Sequence, residues 1–103
     1  MLNIKVFGIV QGVGFRPFVK NLADSYNLRG TVANKGSYVE IYAQGSANDL
    51  ENFLAALRSE APERSAILNV QTTELPDSLR LRLPRSTTRV NKETSVFFIL
   101  LKF

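Results

Sequence analysis

Apolar residues follow two periods along this 103-residue chain, and the order in which the periods alternate predicts an architecture. The run Ile4-Lys5-Val6-Phe7-Gly8-Ile9-Val10 is rich in β-branched and aromatic residues, which suit a pleated surface, so it is expected to form a strand in the interior of a sheet. Val19, Leu22, Ala23 and Tyr26 then recur at the spacing of one helical face. Pro17, whose φ is preset for a helix, suits the first turn, and the helix is expected to end near Asn27. Thr31 to Asn34 and Tyr38 to Ala43 flank the turn cluster Lys35-Gly36-Ser37 and read as a hairpin.

A second helix is expected after Ser46 or Asn48, because either could cap it and each has an acid three residues on, Asp49 or Glu51. Leu50, Phe53, Leu54 and Leu57 form its apolar face, and Pro62 stops it. From Ala66 to Thr73, the residues Ala66, Leu68 and Val70 alternate with Ile67, Asn69 and Gln71, the pattern of a half-buried strand. A loop with Pro76 and Pro84 follows, and the branched and aromatic content of Ser95 to Lys102 predicts a last strand. Apolar residues run without a break from Val96 to Leu101, which implies burial on both faces or an edge covered by a neighbour, such as a second copy in a homodimer.

The predicted order is therefore βαββαβ with an additional C-terminal strand. The expected fold class is α+β: a ferredoxin-like two-layer sandwich in which two helices cover one face of an antiparallel sheet. A chain of 103 residues accommodates one such domain, residues 1–103, and is too short for two. Many unrelated activities occupy this fold, so function has to be argued from a site.

Composition removes several chemistries. The chain has no cysteine and no histidine, which excludes a disulfide framework, thiol nucleophiles, histidine bases and the usual ligands of a transition metal. No metal and no cofactor is expected, and catalysis must rest on arginine, lysine, carboxylates, amides, backbone groups or the substrate itself. The net charge of +4 suggests nucleic acid until its distribution is considered. Arg80, Arg82, Arg85, Arg89 and Lys92 lie between residues 78 and 92 with no acid among them, and without these five the eight remaining cations are outnumbered by nine acids. The basic character thus belongs to one segment, read as a solvated loop. The apolar run at 96–101 is far short of the roughly 20 residues that span a bilayer, and the N-terminus lacks the form of a signal peptide, so no membrane contact and a cytoplasmic location are expected.

The candidate chemistry lies in Val10-Gln11-Gly12-Val13-Gly14-Phe15-Arg16-Pro17-Phe18. Two glycines between a strand and a helix let the backbone take positive φ, so that successive amide N–H groups point into one concavity. The helix start adds its dipole, and Arg16 supplies a planar charged fork suited to two phosphate oxygens. Phosphate is the first ligand to consider, with Arg16 and the backbone amides of Gln11, Gly12, Val13, Gly14 and Phe15 as the candidate binding groups, although a strand-to-helix glycine turn can also be only a turn.

The string Gln11-Gly12-Val13-Gly14-Phe15-Arg16 resembles the signature loop of the acylphosphatase family, and the continuation Pro17-Phe18-Val19 looks most like the acylphosphatase-like domain at the N-terminus of the carbamoyltransferase that matures nickel-iron hydrogenases. The resemblance extends to about residue 75. It implies hydrolysis of the carboxyl-phosphate bond of an acyl phosphate, with carbamoyl phosphate as the expected substrate, and it implies that Arg16 and Asn34 carry the reaction while the substrate phosphate accepts the proton. On spacing alone Asn34 is equally a turn former at a strand end. A side-chain amide can both donate and accept a hydrogen bond, as aiming a water requires.

The match has departures: Tyr38 stands in the hairpin where a small residue is common, and residues 76–93 look longer and more basic than the usual connection. The other domains of such a carbamoyltransferase, with their zinc-binding cysteines, are absent, so the chain is expected to be either a fragment of a longer protein or an independent relative. Two other readings stay open, a catalytically silent phosphate-binding or docking domain and an RNA-binding module. The latter shares the strand order, but its aromatic signature fits poorly at Ser37 and Glu40.

Overall fold

A computed structural model describes residues 1–76 and the backbone of a strand at 94–97. The elements in chain order are β1 (Leu2–Ile9), α1 (Phe15–Ser25), β2 (Arg29–Asn34), β3 (Tyr38–Gln44), α2 (Ala47–Ser59), β4 (Ala66–Glu74) and β5 (Thr94–Phe97). The strands form one sheet in the order β4-β1-β3-β2-β5, and each neighbouring pair is antiparallel. This is the ferredoxin-like βαββαβ sandwich with an additional strand beside β2. The basic segment at 80–92 lies outside the described residues, as do residues 98–103; of the expected last strand, Thr94–Phe97 is seen at the sheet edge, paired with β2.

The core lies between the helices and one sheet face. Ile4 and Val6 of β1, Val32 of β2, Val39 and Ile41 of β3, Val19 of α1, and Phe53 and Leu57 of α2 are all fully buried and form one cluster. Each such side chain contributes about 1.5–3 kcal/mol on burial. On the opposite face, Phe7 and Tyr38 pair across β1 and β3 with ring centroids 5.2 Å apart, and the Lys5 ammonium lies 5.6 Å from the Tyr38 ring centre. Beside them the Asn3 amide donates to Glu40 at 3.2 Å, and burial, followed by the charge of Glu40 and a hydrogen bond to it, raises the Tyr42 hydroxyl above its usual pKa.

Helix termini follow local chemistry. Ser46, not Asn48, caps α2, its hydroxyl accepting from the Asp49 amide at 3.1 Å. At the end of α1, Asn27 adopts a left-handed conformation (φ 58), which lets the amide of the buried Leu28 return to the Ala23 carbonyl at 2.9 Å. The helix α1 opens at Phe15, where Gly14 in a left-handed conformation (φ 79, ψ 19) turns the chain into it, and Pro17 falls in the first turn as expected.

The alternation expected in β4 is also corrected. Ile67 and Val70 pack against the core, whereas Leu68 is 80% exposed. The cause is a bulge: Phe7 pairs with Asn69 but Gly8 pairs with Ile67, which leaves Leu68 as the extra residue of its strand. One inserted residue reverses which side chains face inward, so period-two reading fails across it.

Candidate active site

β1 delivers the chain to the glycine loop, and buried anchors hold that loop at both ends. Val10 is 2% exposed before it and Phe15 1% exposed after it, with the Phe15 ring in tilted contact with Phe18 one helical turn on, centroids 5.6 Å apart. Val13 packs its side chain against the core, so the loop is fastened at its midpoint as well. Gly12 (φ 67) and Gly14 (φ 79) are both left-handed, and a Cβ built on either would meet nothing within 4 Å. Backbone conformation, not crowding, therefore requires these glycines, and the space above them is open to a ligand.

The helix start that follows is prepared for an anion. No side chain caps it and no acid lies in its first turn. Pro17 has no N–H to offer, and the first helical bond runs from the Phe18 amide to the Gly14 carbonyl at 3.2 Å. Arg16 sits in this first turn, on the positive end of the helix dipole.

Gln11, Gly12, Gly14, Phe15, Arg16 and Asn34 line one cavity of about 150 Å³, together with Val10 and Pro17. Of the residues singled out in the sequence, only Val13 is not at its surface. Asn34 reaches the cavity from the last position of β2, where its Oδ1 accepts the Gly36 amide at 2.8 Å. That bond fixes the orientation of the side-chain amide, since only the oxygen can accept, and makes Asn34 a turn former while its NH₂ remains a donor. Tyr38 does not disturb the turn: its carbonyl accepts the Lys35 amide at 2.9 Å, and its ring stacks on Phe7 on the helix-free face of the sheet. Sequence reasoning missed a contact here. The Gln11 side chain donates to the Tyr38 carbonyl at 3.2 Å, a link across 27 residues that no local pattern signals.

A larger hollow of about 510 Å³ lies elsewhere, between Arg58 at the end of α2 and Ile67 to Val70 of β4. It brings together neither a glycine loop nor a helix start. The smaller cavity is the one whose lining includes the glycine loop, Arg16 and Asn34, groups of the kind that bind an anion elsewhere.

A strand, a glycine loop and a helix start thus surround one small cavity on a ferredoxin-like sandwich. The acylphosphatase sequence profile matches residues 2–82, and the chain belongs to the acylphosphatase family of hydrolases. It is 46% identical over 74 residues to an acylphosphatase of Staphylococcus aureus (strain Newman), covering 72% of this chain and 83% of that one. It is 47% identical, also over 74 residues, to the Methanocaldococcus jannaschii protein named "Probable carbamoyltransferase HypF", covering 72% of this chain but only 10% of that much longer one. The crystal structure of acylphosphatase from Bacillus subtilis superposes with a TM-score of 0.65 at 39% identity, over 71% of this chain and 83% of that one.

Proposed function

We propose that this chain hydrolyses the carboxyl-phosphate bond of small acyl phosphates, with carbamoyl phosphate as its substrate, as the acylphosphatase-like domain of a carbamoyltransferase serving hydrogenase maturation. The observation that carries the activity is the convergence of the Gly12 and Gly14 loop, Arg16 and Asn34 on one small cavity. The narrower substrate rests on the similarity to the archaeal carbamoyltransferase and on Pro17-Phe18.

In this reading the loop amides and Arg16 hold the phosphoryl oxygens, and the Asn34 amide aims a water at phosphorus. The water oxygen bonds to phosphorus, the P–O bond to the acyl oxygen breaks, and the carboxylate departs. The water's proton passes to a phosphoryl oxygen. An acyl phosphate is a mixed anhydride with a good leaving group, so positioning and charge stabilisation supply the acceleration without histidine or cysteine.

The test is hydrolysis of carbamoyl phosphate and acetyl phosphate in the presence of a metal chelator. Both are expected to be cleaved, with competitive inhibition by inorganic phosphate, while phosphate monoesters stay intact because no general acid stands by to assist their poorer leaving group. No hydrolysis, combined with single-stranded RNA binding that depends on Phe7 or Tyr38, would overturn the proposal. Against RNA, those two rings are half-buried against each other, and the carboxylate of Glu40 stands two residues along β3 from Tyr38. Weak binding that vanishes with salt would report only the cationic segment at 80–92.

Asn34 allows a finer test. Asn34→Ala is expected to lower kcat by about a hundredfold, the scale of losing one positioned donor, while the inhibition constant of phosphate changes less than about twofold. Asn34→Asp keeps an acceptor for the Gly36 amide but loses the donor, so it should be as inactive as the alanine variant with its turn intact. If phosphate affinity collapses with the rate, Asn34 only shapes the hairpin.

A further inference from the structure

The loop that holds Arg16 and the hairpin that holds Asn34 are distant in sequence, and the backbone does not join them at the site. Among the described residues, the ladder between β1 and β3 ends at Phe7 and Tyr38; beyond it, Gly8 and Ile9 pair only with β4. The next link is a side chain. Gln11 Nε2 donates to the Tyr38 carbonyl at 3.2 Å, and the same oxygen accepts the Lys35 amide at 2.9 Å, closing the turn whose first member is Asn34. Inside that turn, Asn34 Oδ1 takes the Gly36 amide at 2.8 Å. A continuous set of three bonds thus runs from the residue before Gly12 to the Asn34 carboxamide. Because the acceptor is a carbonyl, the group at position 11 must be a donor, and it must have the length of glutamine to cross from the loop.

We propose that Gln11 is a positioning residue, whose side chain sets the spacing between the phosphoryl cradle and Asn34, and so between phosphorus and the aimed water. This rests on the hydrolytic reading above. Its backbone amide belongs to the loop, but its side chain has a separate task. A loop anchor with no catalytic consequence would alter stability, or substrate and phosphate affinity together. A spacer between two halves of a reaction geometry alters kcat, since a displacement of about 1 Å between reacting groups can cost as much as a hundredfold in rate.

Gln11→Met keeps the length and removes the donor. It is expected to reduce kcat at least about tenfold, with the phosphate inhibition constant held within about twofold. Its effect passes through Asn34, so the two substitutions are expected to be non-additive: Gln11→Met with Asn34→Ala should retain about the activity of Asn34→Ala alone. Full additivity, or a loss of phosphate affinity matching the loss of rate, would overturn the assignment. Amide hydrogen exchange gives a readout independent of turnover. In Gln11→Met the Lys35 and Gly36 amides should exchange faster, while the Asp49 amide at the α2 cap keeps its rate. Unaltered exchange at Lys35 and Gly36 would refute the tether even if the enzyme were inactive. If the wild-type chain fails to hydrolyse acyl phosphates while Gln11→Met still shows this change in exchange, the tether stands and the fault lies in the proposed activity.

Discussion

Arg16→Lys is expected to lower kcat/KM for an acyl phosphate by about a hundredfold to a thousandfold, the scale on which a preorganised donor to developing charge is lost. The charge is conserved in this change, but the geometry is not. Guanidinium offers a rigid planar fork that meets two phosphoryl oxygens together, whereas an ammonium is a mobile, strongly hydrated point charge. The position magnifies the difference. Arg16 lies in the first turn of α1, which no side chain caps, and it lines the same cavity as Gly12, Gly14 and Asn34. If the helix dipole, loop amides and fork act on one phosphoryl group there, a lysine would add charge without fixing its orientation. Since Arg16 is half-exposed and takes no part in the hydrophobic core, the unfolding free energy should change by less than about 1 kcal/mol. Steady-state kinetics on acetyl phosphate beside thermal unfolding test both halves. Unchanged turnover would remove Arg16 from the mechanism, and a large loss of stability would make it a structural residue.

What could be read in the sequence was whatever local chemistry decides. The glycine loop was legible because left-handed backbone at Gly12 and Gly14 is a property of those residues alone, and the arrest of α1 near Asn27 because asparagine tolerates the same conformation. Ser46 and Asn48 satisfied the capping pattern equally, and the structure has Ser46 as the cap, its backbone extended (φ −68, ψ 156) and its hydroxyl on the Asp49 amide. Pro17 marked the first turn of α1, while the opening residue, Phe15, is set by the left-handed Gly14 before it. Two features depend on residues far apart and could not be seen at all. The Gln11 tether joins a side chain to a carbonyl 27 positions away, and the bulge that turns Leu68 outward is created by Gly8, more than half the chain earlier.

That bulge gives the second large effect, on stability. Gly8 has φ 135, a conformation L side chains rarely adopt, and a Cβ there would overlap the Ala66 carbonyl oxygen and crowd the Leu68 amide nitrogen at 2.9 Å. Both obstacles are backbone atoms of the partner strand, so no rotamer change relieves them, and Gly8→Ala must either strain β1 or push β4 away. Strain of this kind costs about 1–3 kcal/mol by itself. With the displaced ladder added, a loss of about 3 kcal/mol is expected, and at about 4–8 °C per kcal/mol the melting temperature should fall by more than about 10 °C. The damage reaches the active site through the chain, because Ile9 pairs with Ala66 immediately before Val10 enters the loop, so phosphate affinity should weaken as well. Leu68→Ser is the companion variant. At 80% exposure it should change stability by no more than about 0.5 kcal/mol, whereas a leucine in the inward register would cost about 2–5 kcal/mol on truncation. Chemical denaturation of the two variants distinguishes the arrangements: a harmless Gly8→Ala beside a damaging Leu68→Ser would mean that β4 runs in unbroken alternation and that Leu68 faces the core.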